Sequence, residues 1–186
     1  MTLTKEQLIA AMPNVRTNIA DNPNFKGTDI DGVVGLINKY AAAFDITTAK
    51  RMAHFLAQIA HESAEMRYTE EIASGAQYEG RKDLGNTKKG DGVKFKGRGL
   101  IQVTGRSNYN AYKKFCGYDV VASPELLAKP VGAVRSAMWF WQTHKLNALA
   151  DGDLLTTITK IINGGTNGFA SRQAYLMKAK AALKVN

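Results

Sequence analysis

The 186-residue chain has one cysteine, three histidines and no apolar run near the roughly 20 residues that cross a bilayer. Each shortage excludes something. One cysteine cannot build an internal disulfide framework, and Cys116 reads as a small buried hydrophobe rather than a nucleophile. The three histidines, His54, His61 and His144, do not supply the well-placed ligand set that zinc wants. His61-Glu62-Ser63-Ala64-Glu65 carries a glutamate where HExxH has its second histidine, so no metal and no cofactor is expected. There are no repeats, no low-complexity linker and no recognition-helix or RNP-type motif, so no nucleic-acid partner is expected. A signal-peptide pattern is missing too. Residues 1–12 read instead as a capped helix start, with Thr4 and Gln7 spaced as a capping box. The expectation is synthesis in the cytoplasm, with any export depending on another component.

Acids are also scarce, 16 against 25 Lys and Arg, which leaves a formal charge of +9. That excess points to a polyanionic partner: nucleic acid, anionic lipid or an anionic cell-wall polymer. Hydrophobic content of 45% with 22% charged residues is ordinary for a soluble globular protein. The length suits a single domain over 1–186, formed as two lobes around a cleft, with no separate binding module.

Helical periodicity covers 4–12, 29–45, 48–66, 107–116, 130–143, 153–163 and 171–184. Asp45 and Thr47 offer caps before the third of these. FKGRGLIQVT at 95–104 is the best strand candidate. The expected fold is therefore mostly α with a small antiparallel sheet. Residues 73–94 show no clear period and hold several glycines, the mark of a functional loop. INGGTNG at 162–168 ends a helix in a glycine-rich turn that can bring backbone close to a ligand.

Against the basic background, Glu62, Glu65, Glu70 and Glu71 crowd into ten positions. Met52, Phe55, Leu56, Ile59 and Met66 form an apolar face of the helix over 48–66. His54, Gln58, His61, Glu62 and Glu65 form a second, polar stripe. Polar groups on a central helix need partners or a wet cleft. Two carboxylates beside a cleft can perform acid–base chemistry. Glu62 and Glu65 would be neighbours on one helix face, about 5–6 Å apart at Cβ, which resembles the closer spacing of retaining glycosidases. Glu62 and Glu71 would lie about 13.5 Å apart along an unbroken helix, on opposite sides. They can flank a substrate only if the helix stops after about Met66 and the chain doubles back. Both pairings stand on the residues alone.

AHFLAQIAHES at 53–63 resembles the helix bearing the general acid in family 19 glycoside hydrolases, the plant-type chitinases and their bacterial and phage relatives. The likeness continues in the family's order through YEGRKDLGN (78–86), FKGRGLIQVTGRSNY (95–109), AMWFW (137–141) and INGG (162–165). It implies a mostly helical, lysozyme-like fold and inversion at a β-1,4-linked N-acetylhexosamine. By position, Glu62 matches the general acid and Glu71 the general base, with Glu70 adjacent and competing for that assignment. Thr104 matches the residue that helps hold the attacking water. Gln102, Asn108 and Asn163 match residues lining the sugar sites, and Arg172 a family arginine in the catalytic network. Burial would keep Glu62 protonated, while a wetter Glu71 stays ionised. Tyr68 and Tyr78 could stack on a sugar ring, whereas Trp139 and Trp141 belong to the core.

Plant-type members are secreted, disulfide-bonded and longer in their loops. This chain looks like the compact endolysins of bacterial viruses and prophages, which reach the cell wall after a holin opens the inner membrane. Peptidoglycan strands are the expected substrate, cut as a lysozyme (muramidase) cuts them. Chitin is the alternative, and a non-catalytic wall-binding module the rival from another class. A monomer is expected. The basic segment SRQAYLMKAKAALKVN at 171–186 is expected to form a helix, with Arg172, Lys178, Lys180 and Lys184 attracting the anionic envelope.

Overall fold

The structure, a computed structural model, describes residues 1–185. Its α-helices are α1 (Lys5–Ala11), α2 (Val15–Asp21), α3 (Ile30–Ala41), α4 (Ala49–Glu62), α5 (Asp91–Lys94), α6 (Arg106–Cys116), α7 (Pro130–Thr143), α8 (Leu146–Asp151), α9 (Leu155–Asn163) and α10 (Phe169–Leu183). The periodic segments of the sequence all form helices. The expected capping box closes α1, with Thr4 and Gln7 satisfying each other's backbone N–H. The cap of α4 is Thr48, whose hydroxyl accepts from the Arg51 N–H, not Asp45 or Thr47. Asp45 instead ends the preceding 3-10 turn in a left-handed conformation.

α4 is the central element. Its residues 52–60 are all buried, and it packs most extensively on α10 and also on α8. Met52, Phe55, Leu56 and Ile59 sit fully inside the larger hydrophobic cluster, each burial stabilising by about 1.5–3 kcal/mol. A smaller cluster gathers Phe95, Val103, Tyr109, Tyr112, Cys116, Val120 and Leu127. Trp139 of α7 packs against both clusters, and Trp141 is buried in the larger one, its Nε1 donating to Asn147 Oδ1 at 2.8 Å. Cys116 is a free, buried thiol, as its core reading requires.

The expected antiparallel sheet does not form. Among the described residues there are only isolated antiparallel bridges, Glu70 with Arg98 and Arg98 with Val103. Arg98 and Val103 exchange both backbone bonds, 3.1 and 2.8 Å, around a tight reversal through 99–102. The bridge and its reversal together take up 98–103, so no ladder has room to extend. Gly99 makes the reversal possible: its φ is +95°, and a Cβ there would fall 2.5 Å from Ser136 Oγ. Residues 73–94, legible as a functional loop, contain 3-10 turns and the short α5. Asp91 anchors that segment by pairing with Arg106, which holds its carboxyl at about 2.

Candidate active site

α4 stops at Glu62, four residues earlier than the pattern suggests. Ser63 ends it by two bonds of one hydroxyl: Oγ donates to the Ile59 carbonyl at 2.6 Å and accepts the Met66 N–H at 2.8 Å. Ala64, Glu65 and Met66 then take φ values of +49°, +54° and +68°. Left-handed backbone costs about 1–2 kcal/mol per L-residue. Hydrogen bonds net about 0.5–1.5 kcal/mol each, so only a cluster of them can hold such a turn. The cluster is present. The Glu65 N–H reaches the Ala60 carbonyl at 2.7 Å, and Tyr68 N–H reaches that of Ser63 at 3.0 Å. Asparagines of the α2 region bond the turn's own carbonyls.

The reversal removes the Glu62–Glu65 pairing. Glu65 is buried, not on the helix, and accepts from the Asn14 N–H at 2.6 Å, Asn14 Nδ2 at 3.1 Å and the Tyr175 hydroxyl at 2.9 Å. Burial, then the bond to Glu65, pushes the Tyr175 hydroxyl up to about 12, so it stays a donor. Glu65 is thus a structural carboxylate.

Glu62 is half-buried at the end of α4. Its Oε1 pairs with Arg172 of α10, whose other amino group bonds Gln58 Oε1, one turn back on α4. Arg172 is therefore part of the interior and not a surface charge, correcting one cation of the expected basic face. Glu62 Oε2 has no partner among the described residues. Next to it, His61 Nδ1 meets Ser171 Oγ at 3.0 Å. Burial, then Arg172, lowers the His61 pKa, against the pull of Glu62. The His61 ring lies under Gly168, where a Cβ would fall 2.2 Å from it.

After the turn, the chain joins 97–99: Gly99 N–H donates to the Thr69 carbonyl at 2.8 Å, and Glu71 N–H to that of Gly97 at 2.9 Å. Glu70 and Glu71 consequently face different surroundings. Glu70 Oε1 is held by Arg98 (2.9 Å) and Lys96 (3.2 Å). The Glu71 carboxylate receives only neutral donors, Gln77 Nε2 (2.9 Å) and the Tyr78 hydroxyl (3.0 Å) on Oε1 and the Gly97 N–H (3.1 Å) on Oε2, while Lys96 Nζ bonds the Glu71 backbone carbonyl at 3.0 Å. Burial, then the bond to Glu71, raises the Tyr78 pKa.

Gly97 is the point on which three candidates converge. A Cβ there would lie 2.4 Å from Gln102 Oε1, 3.2 Å from Thr104 Oγ1 and 3.3 Å from Glu71 Oε2. Thr104 Oγ1 donates to the Gln102 carbonyl at 3.1 Å, leaving its lone pairs to accept. Gln102, Thr104 and Asn108 line a pocket of about 190 Å³ with Leu84, Val103, Trp139, Phe140 and His144. Asn108 also bonds the Thr104 carbonyl at 2.7 Å, the local capping its position suggested. Tyr68 is exposed along a second groove with Arg67, Glu71 and Lys96. Asn163, exposed at the end of α9, makes no side-chain hydrogen bond to the other candidates among the described residues. No group of three or more His, Cys, Asp or Glu among the described residues could hold a metal ion.

Sequence reasoning did not find Gln77 or Ser171 as part of this arrangement. Gly97 carried a signal, a glycine two positions from another in a strand-like run; Gln77 and Ser171 carried none.

Residues 33–157 match the family model of the class I chitinases, Glyco_hydro_19, which is two thirds of the chain. The chain belongs to the family 19 glycoside hydrolases. Within that family it is 40% identical over 126 residues to an endochitinase of Arabidopsis thaliana, covering 67% of this chain and 43% of that protein. It is 39% identical over 103 residues to a glycosyl hydrolase family 19 domain-containing protein of Haemophilus influenzae, covering 55% of this chain and 49% of the other. The chain thus spans about half or less of the length of these curated relatives. Chitinase C from Streptomyces griseus superimposes with a TM-score of 0.75 at 21% identity, over 100% of this chain and 94% of that one. A class IV chitinase of Zea mays gives 0.69 at 20%, over 94% and 92%. The family's lysozyme-like fold is shared, without the small sheet expected here.

Proposed function

We propose that this family 19 member is an inverting glycosidase that cuts the β-1,4 bonds of peptidoglycan strands, as a muramidase does. The observation that carries the reading is the contrast between two carboxyls. Glu62, fixed through Oε1 by Arg172, leaves Oε2 free and serves as the general acid to the leaving oxygen. Glu71, held by neutral donors beside Thr104, takes the proton of the attacking water. Thr104 accepts from that water and so aims it. Gln102 and Asn108 bind sugar in the pocket they line, and Tyr68 and Asn163 bind it further along. Arg172 positions Glu62.

Net charge +9 supports a polyanionic substrate. Exposed Lys82, Lys88 and Lys89, following Tyr78 in the chain, have no acidic partner among the described residues. Chitin is the second reading, favoured by the endochitinase names of the relatives. Residues 1–186 act as a catalytic domain and as a monomer. The enzyme works in the periplasm or wall after another component opens the inner membrane. No helix among the described residues is long and apolar enough to cross a membrane. The envelope attraction of α10 reduces to Lys178 and Lys184, because Arg172 is buried and Lys180 pairs with Asp153.

Mass spectrometry of digested peptidoglycan tests the substrate: a new muramic acid reducing end is expected. Intact peptidoglycan beside cleaved glycol chitin would replace this reading with the chitinase one. NMR of the fresh digest should show the α-anomer first, and an early β-anomer would sink inversion. Lysis by the K178Q/K184Q variant should weaken at low salt only; equal lysis there would remove the envelope role of α10.

A further inference from the structure

Asn14, Asn18 and Asn22 recur every fourth residue along α2 and its two caps, so they share one face. All three are turned toward 64–69. Asn14 binds the Glu65 carboxylate with its backbone and its side chain. Asn18 Nδ2 donates to the carbonyls of Ala64 at 3.0 Å and Glu65 at 3.3 Å. Asn22 Nδ2 donates to the Met66 carbonyl at 2.9 Å and to Thr69 Oγ1 at 3.3 Å. Asn18 and Asn22 are only 7% and 2% exposed. Such burial of an amide is tolerated only when its bonds are made, and here each Nδ2 bond of Asn18 and Asn22 ends on the left-handed turn or just beyond it.

The turn decides where Glu71 goes. Carried on as a helix, Glu71 would lie about 13.5 Å from Glu62 along the axis and face away from it. Reversed at 64–66, the chain reaches Gly97 and Gly99, and Glu71 Oε2 and Thr104 Oγ1 both border the space beside Gly97. The carbonyls of 64, 65 and 66 lose their helical partners in that reversal, and asparagine amides of the α2 region replace them. α2 lies outside the residues matched by the family model, 33–157.

We propose that Asn18, with Asn22 beside it, is a positioning residue for catalysis: it holds the left-handed turn that sets Glu71 against Glu62. Asn18 lines neither the pocket of Gln102 and Thr104 nor the groove of Tyr68, whereas Asn22 borders that groove. The inference rests on the two-carboxylate reading above. Asn18 is the better probe, because Asn22 also caps a 3-10 turn through the Asn24 N–H.

The test uses the full chain and steady-state kinetics on solubilised peptidoglycan, with glycol chitin as second substrate. Asn18→Ala should lower kcat roughly tenfold while KM stays within about twofold, since misplacement of about 1 Å at a reacting group costs up to 10²-fold. Ala64 is exposed, so Ala64→Gly changes little but the turn's preference for positive φ. Added to Asn18→Ala it should restore kcat to within about threefold of the parent. Ala64→Gly alone should keep parent kcat. Ala64→Val, which makes positive φ harder without touching Asn18, should lower kcat and leave KM; it decides the matter if Asn18→Ala does not fold. An unchanged kcat in either single variant, or no recovery in the double variant, overturns the proposal. Activity retained by Glu62→Gln would instead overturn the two-carboxylate reading, so the two failures are distinguishable.

Discussion

Glu62 stands at the end of fourteen helical residues, nine of them consecutively buried, and its partner is a buried guanidinium from another helix. Glu71 stands in a stretch with no regular secondary structure, and its partners are an amide, a phenol and a backbone N–H within reach of a glycine. The first region is shaped by apolar burial, which is spread over many side chains and tolerates change at any one of them. The second is shaped by a few hydrogen bonds and close approaches, each of which matters singly. A two-carboxylate enzyme needs both: one group held firmly from behind, another held lightly where water can reach it.

The largest effect should come from removing the carboxylates themselves. Glu62→Gln and Glu71→Gln should each lower kcat by about 10²–10⁴, the range that acid–base groups contribute, with the fold intact by circular dichroism. Glu70→Gln supplies the contrast. It strips the 7%-exposed Arg98 of its carboxylate and should lower the melting temperature while leaving kcat within about threefold, since removing a hydrogen-bonded charge partner costs about 1–3 kcal/mol. If Glu70→Gln matched Glu71→Gln in lost activity, the distinction between the neighbours would fail.

A methyl group should do nearly as much harm in the second region. Gly97→Ala places a carbon 2.4 Å from Gln102 Oε1, and Gln102 must move. Thr104 Oγ1 and Glu71 Oε2 lie in the next shell of the same space, so the water site between them shifts as well. We expect kcat to drop roughly 10²-fold at unchanged helical content, because displacements of about 1 Å suffice. Parent-like kcat in this variant would show that the second region tolerates change as the helix does.

The same contrast explains what the sequence could reveal. The helices were legible because a 3.6-residue period is carried by every turn, and Met52, Phe55, Leu56 and Ile59 repeat the message. The end of α4 was not, since Met66 still fits the apolar face and only the bonds of Ser63, Asn18 and Asn22 stop the helix at Glu62. Ser63 is adjacent, but Asn18 and Asn22 lie 46 and 44 residues from the carbonyls they bond. Strand-like alternation at 95–104 failed for a related reason: Gln102 and Thr104 do share a side, but a reversal rather than a ladder puts them there. The crowding of carboxylates was legible by type, and the resemblance implies a role for Glu71 that the variants above put to the test. What separates Glu71 from Glu70 is the placement of Arg98 and Lys96, which no spacing encodes.

The smallest effect should distinguish the two regions by pH. His54 lies on the buried side of α4, 0% exposed, with Nε2 2.7 Å from Asp153 Oδ1. Its Nδ1 has no partner among the described residues, so the second proton of the cation would be a buried donor with no acceptor. Burial accordingly lowers the His54 pKa, more than the bond and charge of Asp153 raise it. A histidine lowered this way binds fewer protons folded than unfolded. Its contribution to stability is complete above the ordinary value of 6.5 and declines as pH falls below it, until the folded protein also takes up the proton. Asp91, held at about 2 by Arg106, stays ionised throughout that window and adds nothing to the slope. The melting temperature of the parent should therefore fall by about a few degrees between pH 7 and 5, the scale on which about 1 kcal/mol registers in a domain this size. His54→Gln, less stable overall, should show a flatter dependence. His61 is lowered in the same direction but is only half-buried, so His61→Gln should flatten the slope less. Equal slopes in the parent and His54→Gln would show that the interior of α4 is as open to protons as the loops around Glu71.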